Sequence, residues 1–443
     1  MIIRPEKRLL FGYFIIIILT GTILLLLPFS WRGTKPLSLI DAFFTATSAV
    51  CVTGLTTVDT ADYSLFGKII ILLLIQAGGL GIISFTTIYL ILPSLRISFQ
   101  QRKLVKDFFL DSVEVEPQAI MKQIIAIVFV FEFIGAVFLF IGFYPDLKHH
   151  AFFAAIFHSV SAFCNAGFST FHKNFEGFQS NIVINITIMI LIIFGGLGFI
   201  VIRDLIKRIR KKKRLALHTK IVLLMTVFLI IIPAIFYLII EYHNAYSNLS
   251  FGEKILAALF QAITPRTAGF STINQKSLSE ASKFMTIPLM YIGANTGSTG
   301  GGVKTTTFFI VILLSVIGSK REDGIIVFKR KIKESFAAKA SALMLKILLL
   351  ISFNIFILLI TEILFYPSAS KNFLSLTFEA FSAFGTVGLS LGATPELSIV
   401  GKIIIIFLMF EGKVGLISLA LTAPEKTIFD SVLDYPEGEV LIG

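Results

Sequence analysis

Charge is scarce in this chain. Only 15% of its 443 residues are Asp, Glu, Lys or Arg, against 56% apolar residues, whereas soluble domains carry about a quarter charged residues. The deficit excludes an ordinary water-soluble fold and assigns the chain to a bilayer. Cysteine is nearly missing as well. Cys51 and Cys164 are the only two, and neither has the spacing of a zinc or redox motif, which argues against a disulfide, redox or metal framework. The six histidines form no cluster, so an intramembrane enzyme lacks both metal ligands and a nucleophile–base pair. The glycine-rich string Gly297–Lys304 lacks the strand and the Walker spacing of a phosphate cradle. No cofactor is expected to bind this chain. Acidic residues are outnumbered too, 27 against 39 Lys and Arg, for a net charge of +12. That excess sits in short segments between apolar runs with no aromatic-basic recognition motif, so membrane lipids are the expected neighbours and nucleic acid is not a partner.

What is abundant is apolar length. Runs near the twenty residues that span a bilayer occur at Leu9–Pro28, Phe66–Pro93, Ile120–Tyr144, Ile182–Ile202, Ile221–Tyr242, Phe284–Ile317, Leu343–Tyr366 and Gly401–Thr422. The first has no small-residue cleavage site and reads as a retained helix. Basic residues crowd Arg203–Lys220, Lys320–Lys339 and Arg96–Lys106 and recur at Arg4, Lys7 and Arg8. By the positive-inside rule these faces, and both termini, are cytoplasmic in the cell membrane. The run Arg210–Arg214 reads as a stop-transfer flank, with a lipid-binding or docking patch as the alternative.

A repeat organises the chain. Cys51-Val52-Thr53-Gly54-Leu55-Thr56, Cys164-Asn165-Ala166-Gly167-Phe168-Ser169, Arg266-Thr267-Ala268-Gly269-Phe270-Ser271 and Gly385-Thr386-Val387-Gly388-Leu389-Ser390 align without gaps, each after a short apolar helix. The glycines lie 113, 102 and 119 residues apart, close to a quarter of the chain. The unit is helix, short re-entrant helix, glycine loop, helix. The four units fall at 1–93, 120–202, 221–318 and 341–423, with linkers at 94–119, 203–220 and 319–340 and a tail at 424–443. The expected fold is an all-α integral membrane protein of eight transmembrane helices, its four pseudo-symmetric repeats surrounding one central pore.

Backbone carbonyls can replace the water of a dehydrated cation without the tight trapping of a carboxylate. Glycine turns successive carbonyls to one axis without a side chain in the lumen, and a short helix ending at the loop aims its negative dipole end at the ion. For any single loop a helix cap is the plainer reading; recurrence at four equivalent places favours a filter. The residues assigned to it are Val52, Thr53, Gly54 and Leu55; Asn165, Ala166, Gly167 and Phe168; Thr267, Ala268, Gly269 and Phe270; and Thr386, Val387, Gly388 and Leu389. Thr56, Ser169, Ser271 and Ser390 are placed to tie the loops to backbone groups. Asp41 reads as an N-cap of the first short helix, and Cys51 and Cys164 as small packing residues in one column.

A second polar string, Asn295, Thr296, Gly297, Ser298, Thr299, Gly300, Gly301, Gly302 and Lys304, interrupts the third unit's returning helix. Exposed to lipid, its unpaired backbone groups would cost several kcal/mol each. It must pack inside the protein or line water, where a movable segment obstructs permeation; a glycine kink with Lys304 as a snorkelling flank is the alternative. Glycines recur at the matching places, Gly78-Gly79-Leu80-Gly81, Gly195-Gly196-Leu197-Gly198 and Gly412-Lys413-Val414-Gly415, where they allow close approach or a bend. Glu411 and Lys413 are costly in a span and point to function, with Lys413 in reach of the polar string. Glu132, Glu241 and Glu379 read as partnered structural carboxylates, with proton relays as the alternative.

These residues together resemble the Trk/Ktr/HKT superfamily of cation transporters, most of all its bacterial Ktr-type potassium-translocating subunits. The most specific strings are Thr264–Phe270, Phe381–Ser390 and Tyr435–Val440. The resemblance implies filter quarters at the four glycine loops, an intramembrane gating loop at Gly297–Lys304, a homodimer with one pore per subunit, and a cytoplasmic ring of nucleotide-binding regulatory subunits. It implies K+ as the transported ion, because all four filter glycines are present, with Na+ as an activator or co-ion. It also implies an arginine where Lys413 stands and an apolar residue where Glu411 stands. Only the fourth loop reads Thr-Val-Gly, so appreciable Na+ permeability is expected. Channel-like K+ uptake driven by membrane potential is the leading reading; a Na+- or H+-coupled K+ symporter is the alternative.

Overall fold

The computed structural model describes residues 5–91, 117–212, 214–317, 325–328, 330–332, 334–365 and 371–415. Most of the 94–119 linker, Arg96–Lys106 included, and the 424–443 tail with its Tyr435–Val440 string lie outside the described residues.

Helices dominate. The first unit holds α1 (Pro5–Leu25), α2 (Leu39–Val50) and α3 (Leu65–Ile91); the second α4 (Pro117–Leu147), α5 (Ala151–Phe163) and α6 (Ile182–Leu197), followed by α7 (Phe199–Lys211). The third holds α8 (Leu217–Glu241), α9 (Phe251–Ile263), α10 (Glu280–Tyr291) and α11 (Thr305–Ile317); the fourth α12 (Glu334–Leu359), α13 (Phe373–Phe384) and α14 (Ile399–Phe410), with π-helical turns at Ile360–Phe365 and Glu411–Gly415. Polar N-caps start them: Ser38 on α2, Ser279 on α10 and Ser398 on α14 each accept a backbone N–H of the first turn. Ser38, not Asp41, therefore caps α2.

Each of the short helices α2, α5, α9 and α13 packs on the long helix before it, and α2, α5 and α13 also pack on the helix that follows. Between units, α3 packs on α5, α6 on α9, α10 on α13, and α14 returns to α2. The order closes on itself. Large apolar side chains such as Ile16, Ile23, Phe133, Leu349 and Phe353 stay exposed on the outer helices. Such a surface is stable against lipid and not against water.

Among the described residues, Met121–Phe163, Leu217–Glu241 and Phe336–Leu364 are each long and apolar enough to cross a membrane. Ile182–Leu197 with Phe199–Arg210 makes a fourth only as a pair bent by 99°. Two expectations need correction here. The span read as Ile182–Ile202 stops at Leu197, and the segment read as a linker from 203 is helical through Lys211. Nor is the chain purely helical: β1 (Ile325–Val327) and β2 (Arg330–Ile332) form an antiparallel hairpin inside the linker, with Ile326 paired to Lys331. β-branched residues flanking a tight turn favour it.

Candidate ion-conduction site

The four loops share one backbone. Two residues ahead of each glycine the chain enters the left-handed region, at Val52 (φ 56°), Asn165 (φ 58°), Thr267 (φ 65°) and Thr386 (φ 49°), and the glycines follow at 91°, 70°, 75° and 93°. Side-chain-bearing residues seldom hold such angles, so the surroundings must impose them. The restraint comes from the preceding short helix, whose last carbonyls catch the loop: Thr53 N bonds Ser48 O at 2.8 Å, Ala166 N bonds Ser161 O at 2.7 Å, and Val387 N bonds Ser382 O at 2.8 Å.

The loops meet one another at their glycines. A Cβ on Gly54 would lie 2.5 Å from Ala166 O and 3.0 Å from Gly167 Cα; one on Gly167, 2.8 Å from Ala268 O and 3.0 Å from Gly269 Cα. One on Gly269 would strike Val387 O and approach Gly388 Cα at 3.1 Å, and one on Gly388 would strike Thr53 O and approach Gly54 Cα at 3.1 Å. The sequence of neighbours is a closed ring. The carbonyls of Ala166, Ala268, Val387 and Thr53 each stand against the glycine of the preceding loop, Gly54, Gly167, Gly269 and Gly388 in turn, and the nearest atoms there are all backbone. Loops two and three are further joined by a 3.2 Å hydrogen bond between the Asn165 amide and the Thr267 hydroxyl.

Loop anchoring uses a column beyond the expected one. Ser48 Oγ accepts Gly54 N at 3.0 Å, Ser382 Oγ accepts Gly388 N at 3.1 Å, Ser161 Oγ donates to Phe168 O at 2.9 Å, and Thr264 Oγ1 donates to Phe270 O at 2.5 Å. Two of the four residues after the glycines also bond backbone, as expected: Ser169 Oγ accepts Phe171 N at 3.1 Å and Ser390 Oγ accepts Gly392 N at 2.8 Å. Ser169 contacts His158 Nε2 at 3.0 Å and Ser390 donates to Glu379 at 2.6 Å, both partners being short-helix side chains, while Thr56 and Ser271 make no such bond among the described residues. The signal for the further anchors was a serine six residues ahead of three of the glycines.

The buried carboxylates are mostly satisfied. Glu379 accepts from Ser390, Leu391 N and Thr394, Glu241 accepts from Ser279 N and Oγ at 2.9 and 2.6 Å, and Glu362 holds Ser398 N and, at 2.8 Å, Lys371. Glu241 and Glu362 thus fasten the N-caps of α10 and α14 alike. Glu132 is the exception in richness of contact: Gln76 donates to it at 3.3 Å and the Cys164 thiol lies at 3.8 Å. In the first turn of α2, Asp41 meets Lys402 at 2.7 Å. Partial burial raises its pKa, but the bonds from Lys402, Ser38 and Thr57 outweigh that and hold it below the usual carboxylate range.

The polar string of the third unit is irregular backbone from residue 292 to 304, enclosed by all four units. Asn295 N and Nδ2 donate to Gly196 O at 3.1 and 2.8 Å, and Thr299 Oγ1 lies 3.2 Å from both Phe163 O and Gly195 O. Gly301 N donates to Thr386 Oγ1 at 3.0 Å, a Cβ on Gly300 would meet Thr267 Oγ1, and the Thr299 methyl faces Gly79. The string thus touches two of the filter-position residues, Thr267 and Thr386, directly. Lys304 turns back on the string and donates to Gly300 O at 2.9 Å. Lys413, buried in the π turn, donates to Thr299 O. Glu411 makes no ion pair with it among the described residues. Gly78, Gly195 and Gly412 sit against the last carbonyls of their short helices, Val50 O, Phe163 O and Phe384 O, where any Cβ would collide.

On the opposite side of the ring, a cavity of about 340 Å³ is lined by Gly54, Asp59, Gly167, His172 and Asn174. The family described as TrkH, cation transport protein, matches residues 9–431, nearly the whole chain. The chain belongs to the TrkH family. It is a transport protein and not an enzyme. Ktr system potassium uptake protein B of Bacillus subtilis (strain 168) is 40% identical over 443 residues, covering 99% of this chain and 97% of that protein. The potassium/sodium uptake protein NtpJ of Enterococcus hirae is 37% identical over 450 residues, covering 100% and 98%. Among solved structures, the potassium transporter TrkH from Vibrio parahaemolyticus shares the fold, with a TM-score of 0.72 at 19% identity over 93% of this chain and 84% of that one.

Proposed function

We propose that this chain is the K+-translocating membrane subunit of a Ktr-type uptake system, in which the ring at Gly54, Gly167, Gly269 and Gly388 is the selectivity filter. The observation that carries the reading is the closed ring of loop carbonyls with matched left-handed backbone. Carbonyl oxygens converging on one axis replace the hydration shell of an alkali cation. The reading includes four pseudo-symmetric repeats, with domain limits as read from the sequence, eight spans around one pore, and both termini in the cytoplasm.

In this reading the 295–302 string with Lys304 and Lys413 is the gate. It crosses the path beneath the filter, and the Lys413 ammonium both ties it down and repels cations. The subunit forms a homodimer on a cytoplasmic nucleotide-binding ring; the similar proteins named as Ktr system components support partner subunits of some kind. Na+ accompanies K+ as a second permeant ion or activator, a view favoured by the similar protein named for potassium and sodium uptake.

Rubidium uptake into vesicles holding the purified chain, with and without an imposed potential and a Na+ gradient, tests the proposal. Uptake that follows the potential alone is the expected result. Uptake that needs a Na+ or proton gradient would replace channel-like transport with symport.

A further inference from the structure

Gly198 ends α6 with φ 89° and ψ 141° and at once begins α7, turning the chain by 99°. If α6 spans the bilayer, α7 lies along its surface. The helix is two-faced. Val201, Ile202, Leu205 and Ile206 cluster with Val222 and Leu223 of α8 and with Ile127 and Phe131 of α4, whereas Arg208, Ile209 and Arg210 are exposed, Ile209 to 80%. Lys212 stops the helix in the left-handed region, with its N–H on Arg208 O at 2.9 Å, and is exposed along with Arg214. Asp204, the acidic residue of this segment, is turned away to accept Ala216 N at 2.9 Å. The exposed last turn therefore carries Ile209 as the continuation of the Leu205–Ile206 stripe, with Arg208 and Arg210 flanking it on either side. That is the pattern of a helix lying in the lipid headgroup region, where phosphates meet the cations and acyl chains receive the apolar residue.

The inner end of α7 is fastened to the polar string. Phe199 N donates to Gly297 O at 3.0 Å, and a Cβ on Gly198 would lie 2.6 Å from Thr296 O. We propose that α7 binds anionic phospholipid headgroups through Arg208, Arg210 and Lys212, and that the Phe199–Gly297 bond carries the resulting position of α7 to the 295–302 string. The binding half stands on α7 alone; the coupling half rests on the proposed gate.

Both halves are tested on the full chain in vesicles of phosphatidylcholine with and without phosphatidylglycerol, by measuring phospholipid retained on the purified protein and rubidium flux. The parent chain should retain phosphatidylglycerol over phosphatidylcholine and change its flux severalfold with composition. Arg208→Gln with Arg210→Gln, both exposed in the last turn, should retain roughly 25-fold less phosphatidylglycerol, since each cation near an anionic surface strengthens adsorption about fivefold, and its flux should no longer follow composition. Phe199→Pro removes the donor at the first helical position, where proline is tolerated, together with a buried ring, and Phe199→Ala, which loses the ring and keeps the donor, separates the two; the proline variant alone should keep lipid retention while losing the dependence of flux. Equal retention of the two lipids by the parent, or parent-like retention by the double variant, would overturn the binding site. Charge loss that reduces only the recovery of a soluble regulatory protein would overturn it in favour of a docking face. Retention without any effect of composition on flux would overturn the coupling, provided that shortening Thr296–Gly302 does raise flux; if shortening does nothing, the gate reading has failed and the retention result still judges α7.

Discussion

Gly269 stands where the backbone turns to φ 75° and where the Val387 carbonyl occupies the space of a side chain. The left-handed angle alone costs an L-residue ~1–2 kcal/mol, and the collision adds to it. Gly269→Ser should therefore lower K+ uptake by about tenfold or more at equal expression, read as rubidium uptake by membrane vesicles. Lys413 makes the opposite kind of prediction. Its ammonium is buried with Thr299 O as its hydrogen-bond partner, and a hydrogen bond to a charged group contributes ~1.5–3 kcal/mol. Lys413→Gln should loosen the string and raise flux by roughly tenfold, leaving the K+/Na+ preference from reversal potentials unchanged; a shifted preference would move Lys413 from the gate to the filter. Lys413 was legible in the sequence because a charge in an apolar span is costly. Its partner was legible as the polar string, but which carbonyl of the string it takes, that of Thr299, 114 residues away, was not.

At the scale of elements, the glycine loops were readable because backbone geometry demands glycine at four places, and the demand leaves a mark in any sequence. The serine anchors recur in three units, but the third substitutes Thr264 one position later, ahead of Pro265, which hid the column. A bend was one of two readings of the glycine strings, but which string bends could not be read, for a different reason. Gly78-Gly79-Leu80-Gly81 continues within α3, whereas the near-identical Gly195-Gly196-Leu197-Gly198 breaks. Local propensity is the same in both; the difference is tertiary, made by Gly297 O capturing Phe199 N. The polar string itself was expected to be irregular and is. Shortening Thr296–Gly302 removes the bonds to Phe163, Gly195 and Thr386 together, so flux should rise without a change of ion preference. Stopped-flow flux assays with K+ and Na+ read both quantities, and equal flux in shortened and parent chains would refute the gate.

For the whole molecule, the packing of α3 on α5, α6 on α9, α10 on α13 and α14 on α2 draws four separate loops to one axis. Each loop meets its neighbours only across units. The ring depends on that closure, and so does the carbonyl geometry from which ion transport is argued. The most direct measurement is anomalous scattering from crystals of the purified chain grown with Tl+ in place of K+. Signal is expected on the axis, ringed by the carbonyls of Thr53, Ala166, Ala268 and Val387. Bound Tl+ found instead beside a carboxylate such as Glu132, with the axis empty, would contradict a filter built from backbone oxygens.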